Sequence, residues 1–150
     1  MNFPPLNLPF SELKIIKKNT DKYEIYDIVR KKFVALTPEE WVRQNFVNYL
    51  VEHKKLAISR LKLEHTLKIH ESNKRCDIVY FDKKLSPILI VECKTPLKDL
   101  NKSAFNQIAM YNSILTVKYM IVTNGIKHFA AEIDYKKKQY NYLDIIPDIN

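Results

Sequence analysis

At 150 residues, 46% of them hydrophobic and 28% charged, the chain has the balance of an ordinary folded protein, long enough to bury one stable core and with nothing to suggest a second. The 25 Lys and Arg against 17 Asp and Glu leave a formal charge of +8, which favours an anionic partner such as nucleic acid, although scattered pairs like Lys17-Lys18 and Lys83-Lys84 also suit a plain solvated surface. The two cysteines, Cys76 and Cys93, stand outside any zinc-ligand spacing and fit a reducing cytoplasm, and neither a secretory leader nor an apolar run approaching the ~20 residues of a membrane span is present, so no membrane association is expected.

Residues 13–36 hold three short β-rich runs, LKIIK, YEIYDIV and KKFVAL, broken by Asn19-Thr20-Asp21 and by basic residues, which predicts a hairpin or meander. LTPEEWVRQNFVNYLVEH then predicts a helix. Thr37 suits its cap, Pro38 its first turn, and Glu40, three residues after Thr37, a capping box. Trp41, Val42, Phe46, Tyr49 and Leu50 form one apolar stripe, with Glu39, Arg43 and Glu52 placed nearer the other side. LKLEHTLKIH reads as a strand, followed by a turn at Ser72-Asn73-Lys74 and by two more strands over 75–81 and 88–94.

Thr95-Pro96 closes the third of these strands, and Leu100, Ala104, Ile108, Tyr111 and Leu115 recur at helical intervals over 100–115. The following YMIVT is a short buried strand, so the strand-helix-strand unit implies a right-handed parallel crossover. Asn124-Gly125 marks a turn in which the chain's only glycine is expected at positive φ. HFAAEI and QYNYLDII predict a closing hairpin. The expected fold class is α/β, one domain with a β extension (1–36), a core (37–125) and a carboxyl-terminal hairpin (126–150), its mixed sheet flanked by helices.

Charges inside this pattern carry the chemistry. Glu92 and Lys94 alternate onto one strand face with Ile90, leaving Val91 and Cys93 on the other, and Asp77 on the preceding strand can lie opposite Glu92 in the right register. Two carboxylates this close raise a pKa or recruit a cation, and oxygen-only ligation suits Mg²⁺ or Mn²⁺ better than zinc. A solvent-facing salt bridge, contributing about 0–1 kcal/mol, is the plain alternative.

Asp77 followed by Glu92-Cys93-Lys94 resembles the Asp…(Asp/Glu)-x-Lys signature of PD-(D/E)xK nucleases, and Gln107-Ile-Ala-Met-Tyr111 resembles the QxxxY extension of their RecB-type members. The wider pattern, LTPEEWVRQNFVNYL, KRCDIVYFDKKLSPILIVECKTP, FNQIAMYN and IVTNG, is similar to the amino-terminal nuclease domain of type I restriction enzyme R subunits over about residues 36–125. The resemblance implies a restriction-endonuclease-like αβββαβ core with β-hairpin additions at both ends. It also implies Mg²⁺ (or Mn²⁺) held by Asp77, Glu92 and the Cys93 backbone carbonyl, with Lys94 assisting the nucleophilic water.

Gln107 and Tyr111 would reach the metal site or the DNA backbone, or else be a surface Gln beside a core Tyr. Glu40 matches the family's first-helix acid, a position its capping role also explains. Arg43 and Arg75 would contact phosphate or pair with the acids, and Glu64 is a further acid of undetermined face. Cys76 stands where the signature has proline, and both cysteines are expected as buried thiols on the opposite face. R subunits continue into ATP-driven translocase domains, for which these residues hold no phosphate-binding glycine loop. The implied activity is metal-dependent endonucleolytic hydrolysis of DNA, with RNA left open. A homodimer or partner restriction or repair proteins are the implied company. The alternative is a non-catalytic nucleic-acid-binding or assembly module that keeps the fold.

Overall fold

The amino-terminal runs form a three-stranded antiparallel sheet of their own, β1 (Ile15–Asn19), β2 (Lys22–Asp27) and β3 (Lys32–Ala35), in the computed structural model, which describes residues 3–149. Helix α1 (Pro38–Glu52) begins where the caps predict, the Thr37 hydroxyl accepting the Glu40 N–H at 3.1 Å. The capping box is only half made. The Thr37 N–H donates to the Ala35 carbonyl, and the Glu40 carboxylate turns instead to Arg30, Arg43 and Gln44. Nor is α1 buried along its apolar stripe alone: Val42, Phe46 and Leu50 are buried, but so are Arg43, Gln44 and Asn48, while Trp41 and Tyr49 are only half-buried. The small sheet supplies part of the reason, because it meets the polar side of the helix, with Gln44 donating to Asp27 of β2 at 2.9 Å.

The central sheet has six strands in sequential order, β4 (Leu61–Ile69), β5 (Ser72–Phe81), β6 (Pro87–Cys93), β7 (Tyr119–Thr123), β8 (His128–Asp134) and β9 (Gln139–Leu143). All neighbours are antiparallel except β6 and β7, which run parallel and are joined through α2 (Lys102–Leu115). The closing hairpin extends this sheet by pairing β8 with β7. The β4–β5 turn falls at His70-Glu71, two residues before the expected Ser72-Asn73-Lys74, because His70 adopts φ 54° and lets the ladder run to the Ile69–Ser72 pair.

Strand alternation divides the core in two. Leu61, Leu63, Ile78, Val91 and Cys93 pack with α1 on one face, and Val79, Ile90, Met120 and Val122 pack with Ala104, Ile108 and Tyr111 of α2 on the other. The alternation fails where Glu64 of β4 and Asp77 of β5 face each other between regular pairs, and the φ of 50° at Glu64 turns its strand over. Leu67 and Ile69, of the same parity as Leu63, therefore pack with α2. Opposite them, Cys76 shares the α2 side, so only Cys93 lies on the face expected for both cysteines. Asp77 sits at the step where the faces exchange.

Gly125 adopts φ 81°, and a Cβ there would meet Leu6 Cδ2 at 2.7 Å. Gly125→Ala is expected to lower stability by about 1 kcal/mol or more, read as a reduced urea midpoint with unchanged slope. Among the described residues no helix is long and apolar enough to cross a membrane.

Candidate active site

The site forms where β5 and β6 stop pairing. Their last regular partners at this end are Ile78 and Val91. One residue further, the Asp77 side chain takes over from the ladder, its Oδ2 accepting the Cys93 N–H at 2.7 Å while Oδ1 accepts Arg43 Nη2 from α1 at 2.8 Å. A carboxylate thus ties two strand ends and a helix together. Glu92, directed with Ile90 toward α2, accepts Lys94 Nζ on Oε1 at 2.7 Å. The same ammonium donates to Gln107 Oε1 at 2.8 Å, and Gln107 Nε2 donates to the Tyr111 hydroxyl at 2.9 Å. Glu92, Lys94, Gln107 and Tyr111 therefore form one hydrogen-bonded chain beside Asp77.

Burial sharpens these interactions. The Glu92 side chain is 4% exposed, and its Oε2 is buried without a hydrogen-bond partner among the described residues. Such an orphaned oxygen needs a cause, since buried polar atoms are nearly always paired. Loss of solvent, followed by repulsion from Asp77, pushes the Glu92 carboxyl from the ordinary 4.5 up to about 7 even though Lys94 pulls the other way. The folded protein then holds this proton over a window in which the unfolded chain has released it, so stability falls as pH rises from about 4.5 to 7. Glu92→Gln removes that penalty. Without divalent ions it is expected to be about 1–3 kcal/mol more stable than wild type at pH 8, a difference that disappears below pH 5 in urea titrations.

The first turn of α1 sorts its two acids differently from the sequence reading. Glu39, expected on the outer side, faces the cluster: Arg43 Nη2 lies 3.2 Å from its carboxylate, and burial, then Asp77, raises its pKa. Glu40 points about 100° away around the helix, as consecutive residues must, accepting Arg30 Nη2 at 3.0 Å and Gln44 Nε2 at 2.8 Å and pairing with Arg43 Nη1. Glu39, which sequence reasoning missed, is thus the acid of this turn whose charge is felt by Glu92.

Arg43 is 4% exposed and engages Asp77, Glu39 and Glu40. Burial opposes its charge, but Asp77 and Glu40 outweigh that and hold it protonated. Its pairing with the acids, one of the two roles expected for it, is present in this structure. Arg75 stays 67% exposed and donates to Glu64 at 3.0 Å. Glu64 also lies 3.5 Å from Arg43, so its face is toward the cluster. Asp27 and Arg30 complete the network from the small sheet. Burial keeps both cysteine thiols protonated. No cluster of three or more His, Cys, Asp and Glu side chains with metal-holding geometry occurs among the described residues. A cation here would have two carboxylates, supplemented by backbone and water oxygens.

Residues 38–147, from the first residue of α1 to beyond β9, match the profile of the family described as type I restriction enzyme R protein N terminus (HSDR_N). The chain belongs to this family. Among solved structures, a fragment assigned as an HsdR subunit of a type I restriction enzyme from Vibrio vulnificus YJ016 superposes with a TM-score of 0.54 at 21% identity, over 75% of this chain and 24% of that one. The fold is therefore the restriction-endonuclease-like one that the resemblance implied, and this HSDR_N chain spans about a quarter of that longer protein. No curated protein matches the chain. The matched region contains Asp77, Glu92, Lys94, Gln107 and Tyr111, and leaves the small amino-terminal sheet outside it.

Proposed function

We propose that this HSDR_N chain is a divalent-metal-dependent nuclease that hydrolyses DNA phosphodiester bonds. The observation that carries the reading is the buried, unpartnered Glu92 Oε2 beside Asp77, in a pair whose other members are already hydrogen-bonded. Two carboxylates with remaining positions left to water match what Mg²⁺ accepts. Held by Asp77, Glu92 and the Cys93 backbone carbonyl, Mg²⁺ or Mn²⁺ would supply Lewis-acid polarisation of a phosphoryl oxygen and a bound water of lowered pKa.

The chain's own groups do the rest. Lys94 has three N–H donors, and Glu92 and Gln107 take two, which leaves the third for the attacking water or for negative charge that develops on phosphorus oxygens. Gln107 and Tyr111 act by fixing that ammonium. Asp77 aligns the end of β6 through the Cys93 N–H, and Arg43 keeps Asp77 oriented. Tyr111→Phe, which frees the Gln107 amide, is expected to lower cleavage about 10–100-fold with little change in DNA affinity.

The direct test incubates linear, supercoiled and single-stranded DNA, and RNA, with Mg²⁺, Mn²⁺ or EDTA, using wild type and Asp77→Asn. Cleavage that needs the ion and falls at least about 100-fold in the variant is expected; equal cleavage by both would contradict the assignment. One observation favours a second reading, a nucleic-acid-binding or assembly module within a multisubunit restriction system: both Asp77 oxygens are already engaged. DNA binding without cleavage under any ion would decide for it.

A further inference from the structure

The central sheet leaves an aromatic stripe on the α2 side next to the site. Glu92 pairs with Val122 and Val122 with Phe129, so Phe129 lies in the same row and on the same face, two strands away, at about 10 Å. Tyr142 pairs with Ala131 and Tyr140 with Ile133, which puts both rings on that face of β9 as well. Phe129 is 40%, Tyr140 47% and Tyr142 70% exposed. Phe105, from the first turns of α2, meets Phe129 and Tyr142 edge-on at centroid distances of 5.7 and 6.1 Å. Between α2 and β9 lies a slot of about 180 Å³ whose lining includes Lys102, Phe105, Asn106, Tyr140 and Tyr142.

Three exposed aromatic rings that adjoin on one sheet face make an apolar patch left open to solvent. Their surroundings say what covers them. Exposed Lys102 stands at one end of the stripe, and the exposed Lys136–Lys138 turn follows β8 at the other, beside Tyr140. Flat π-faces flanked by ammonium groups match unpaired bases on a phosphate backbone: every base stacks, and the cations follow the strand without reading sequence. A base-paired duplex hides its π-faces and cannot use the rings this way.

We propose that Phe129, Tyr140 and Tyr142, with Phe105 beneath them, are a stacking platform for single-stranded nucleic acid that leads a strand toward Glu92 and Lys94. The platform deepens the nuclease reading, on which its orientation toward the site rests, but its binding is measured apart from cleavage. Unpaired ends, flaps or gaps are the substrates it selects.

Fluorescence anisotropy in EDTA, with a labelled twelve-nucleotide thymidine oligomer and a blunt duplex of equal length, reads the platform without turnover. Tyr142→Ala combined with Tyr140→Ala is expected to weaken oligomer binding about tenfold or more and to leave duplex binding within about twofold. Tyr142→Phe combined with Tyr140→Phe, which keeps the rings, restores it, a rescue that a mere folding defect does not show. Ultraviolet crosslinking of an iodouracil oligomer to wild type is expected to mark Tyr142 or Tyr140. Unchanged oligomer binding in the alanine variant, or equal losses for oligomer and duplex, overturns the proposal. So does a wild type that binds no single strand, which would give this face to a protein partner. Ion-dependent duplex cleavage by the alanine variant would sustain the nuclease whichever way the platform falls.

Discussion

Lys94→Ala is expected to abolish ion-dependent DNA cleavage, by about a thousandfold or more, while the protein stays folded and binds DNA nearly as before. The size follows from position. The ammonium is 15% exposed, bridges Glu92 and Gln107 at 2.7 and 2.8 Å, and is the cation closest to the unpartnered Glu92 oxygen among the contacts described. Its removal also takes away the interaction that restrains the Glu92 pKa. Without it Glu92 keeps its proton to higher pH, so residual cleavage is expected to move to more alkaline pH, a shift that separates loss of this ammonium from a general loss of fold. Lys94→Arg should not rescue, because a planar guanidinium cannot replace a compact ammonium in the fork between Glu92 and Gln107.

Arg43→Ala is expected to destabilise the protein by about 3–5 kcal/mol. Its guanidinium lies between Asp77, Glu39 and Glu40 with 4% exposure, and its loss leaves the secluded carboxylates of Asp77 and Glu40 with one cation fewer and little water in its place. Against a total stability of about 5–15 kcal/mol that is a large fraction. Arg43→Lys recovers only part, since one ammonium cannot address Asp77 through one nitrogen and Glu40 through another. The triple variant Arg43→Met, Glu40→Gln, Asp77→Asn should regain most of the stability because it removes the charges along with their partner, and urea titration at pH 7 distinguishes these outcomes.

Both effects depend on features the sequence shows unevenly. Period-two alternation was enough to put Glu92 and Lys94 on one face with Ile90, and the strand spacing was enough to bring Asp77 to the end of the Glu92 strand. Thr37 and Pro38 marked the start of α1, and the apolar repeat through Ala104, Ile108 and Tyr111 marked the buried side of α2. The roll of α1 was not legible. Its buried Arg43, Gln44 and Asn48 look like surface residues until the helix is docked, Gln44 against Asp27 of the small sheet and Arg43 against Asp77 of the central one, and until then adjacent Glu39 and Glu40 are equally good candidates. Asp27 falls inside the β-rich run YEIYDIV and Arg30 just after it, and nothing local marks either, because their partners Glu40 and Gln44 stand 10 and 17 residues further on.

The misplaced turn and the unexpected face of Cys76 have one physical origin. With a single glycine in 150 residues, the chain turns at residues whose side chains give no hint of it: Lys31, Glu64, His70 and Leu85 all adopt positive φ. Glycine is the usual mark of such positions, and without it neither the His70-Glu71 turn nor the reversal at Glu64 can be located by inspection. That reversal matters for function, since it places Asp77 at the exchange of faces, within reach of Arg43 on one side and the end of β6 on the other.

Calorimetric titration of Mn²⁺ into wild type and into Asp77→Asn, both with a non-cleavable DNA ligand present, measures the central claim most directly. The account predicts saturable binding to wild type that is lost or weakened about 10–100-fold in the variant, and a raised melting temperature in wild type alone. Equal binding by the two proteins, or none by wild type, would contradict it.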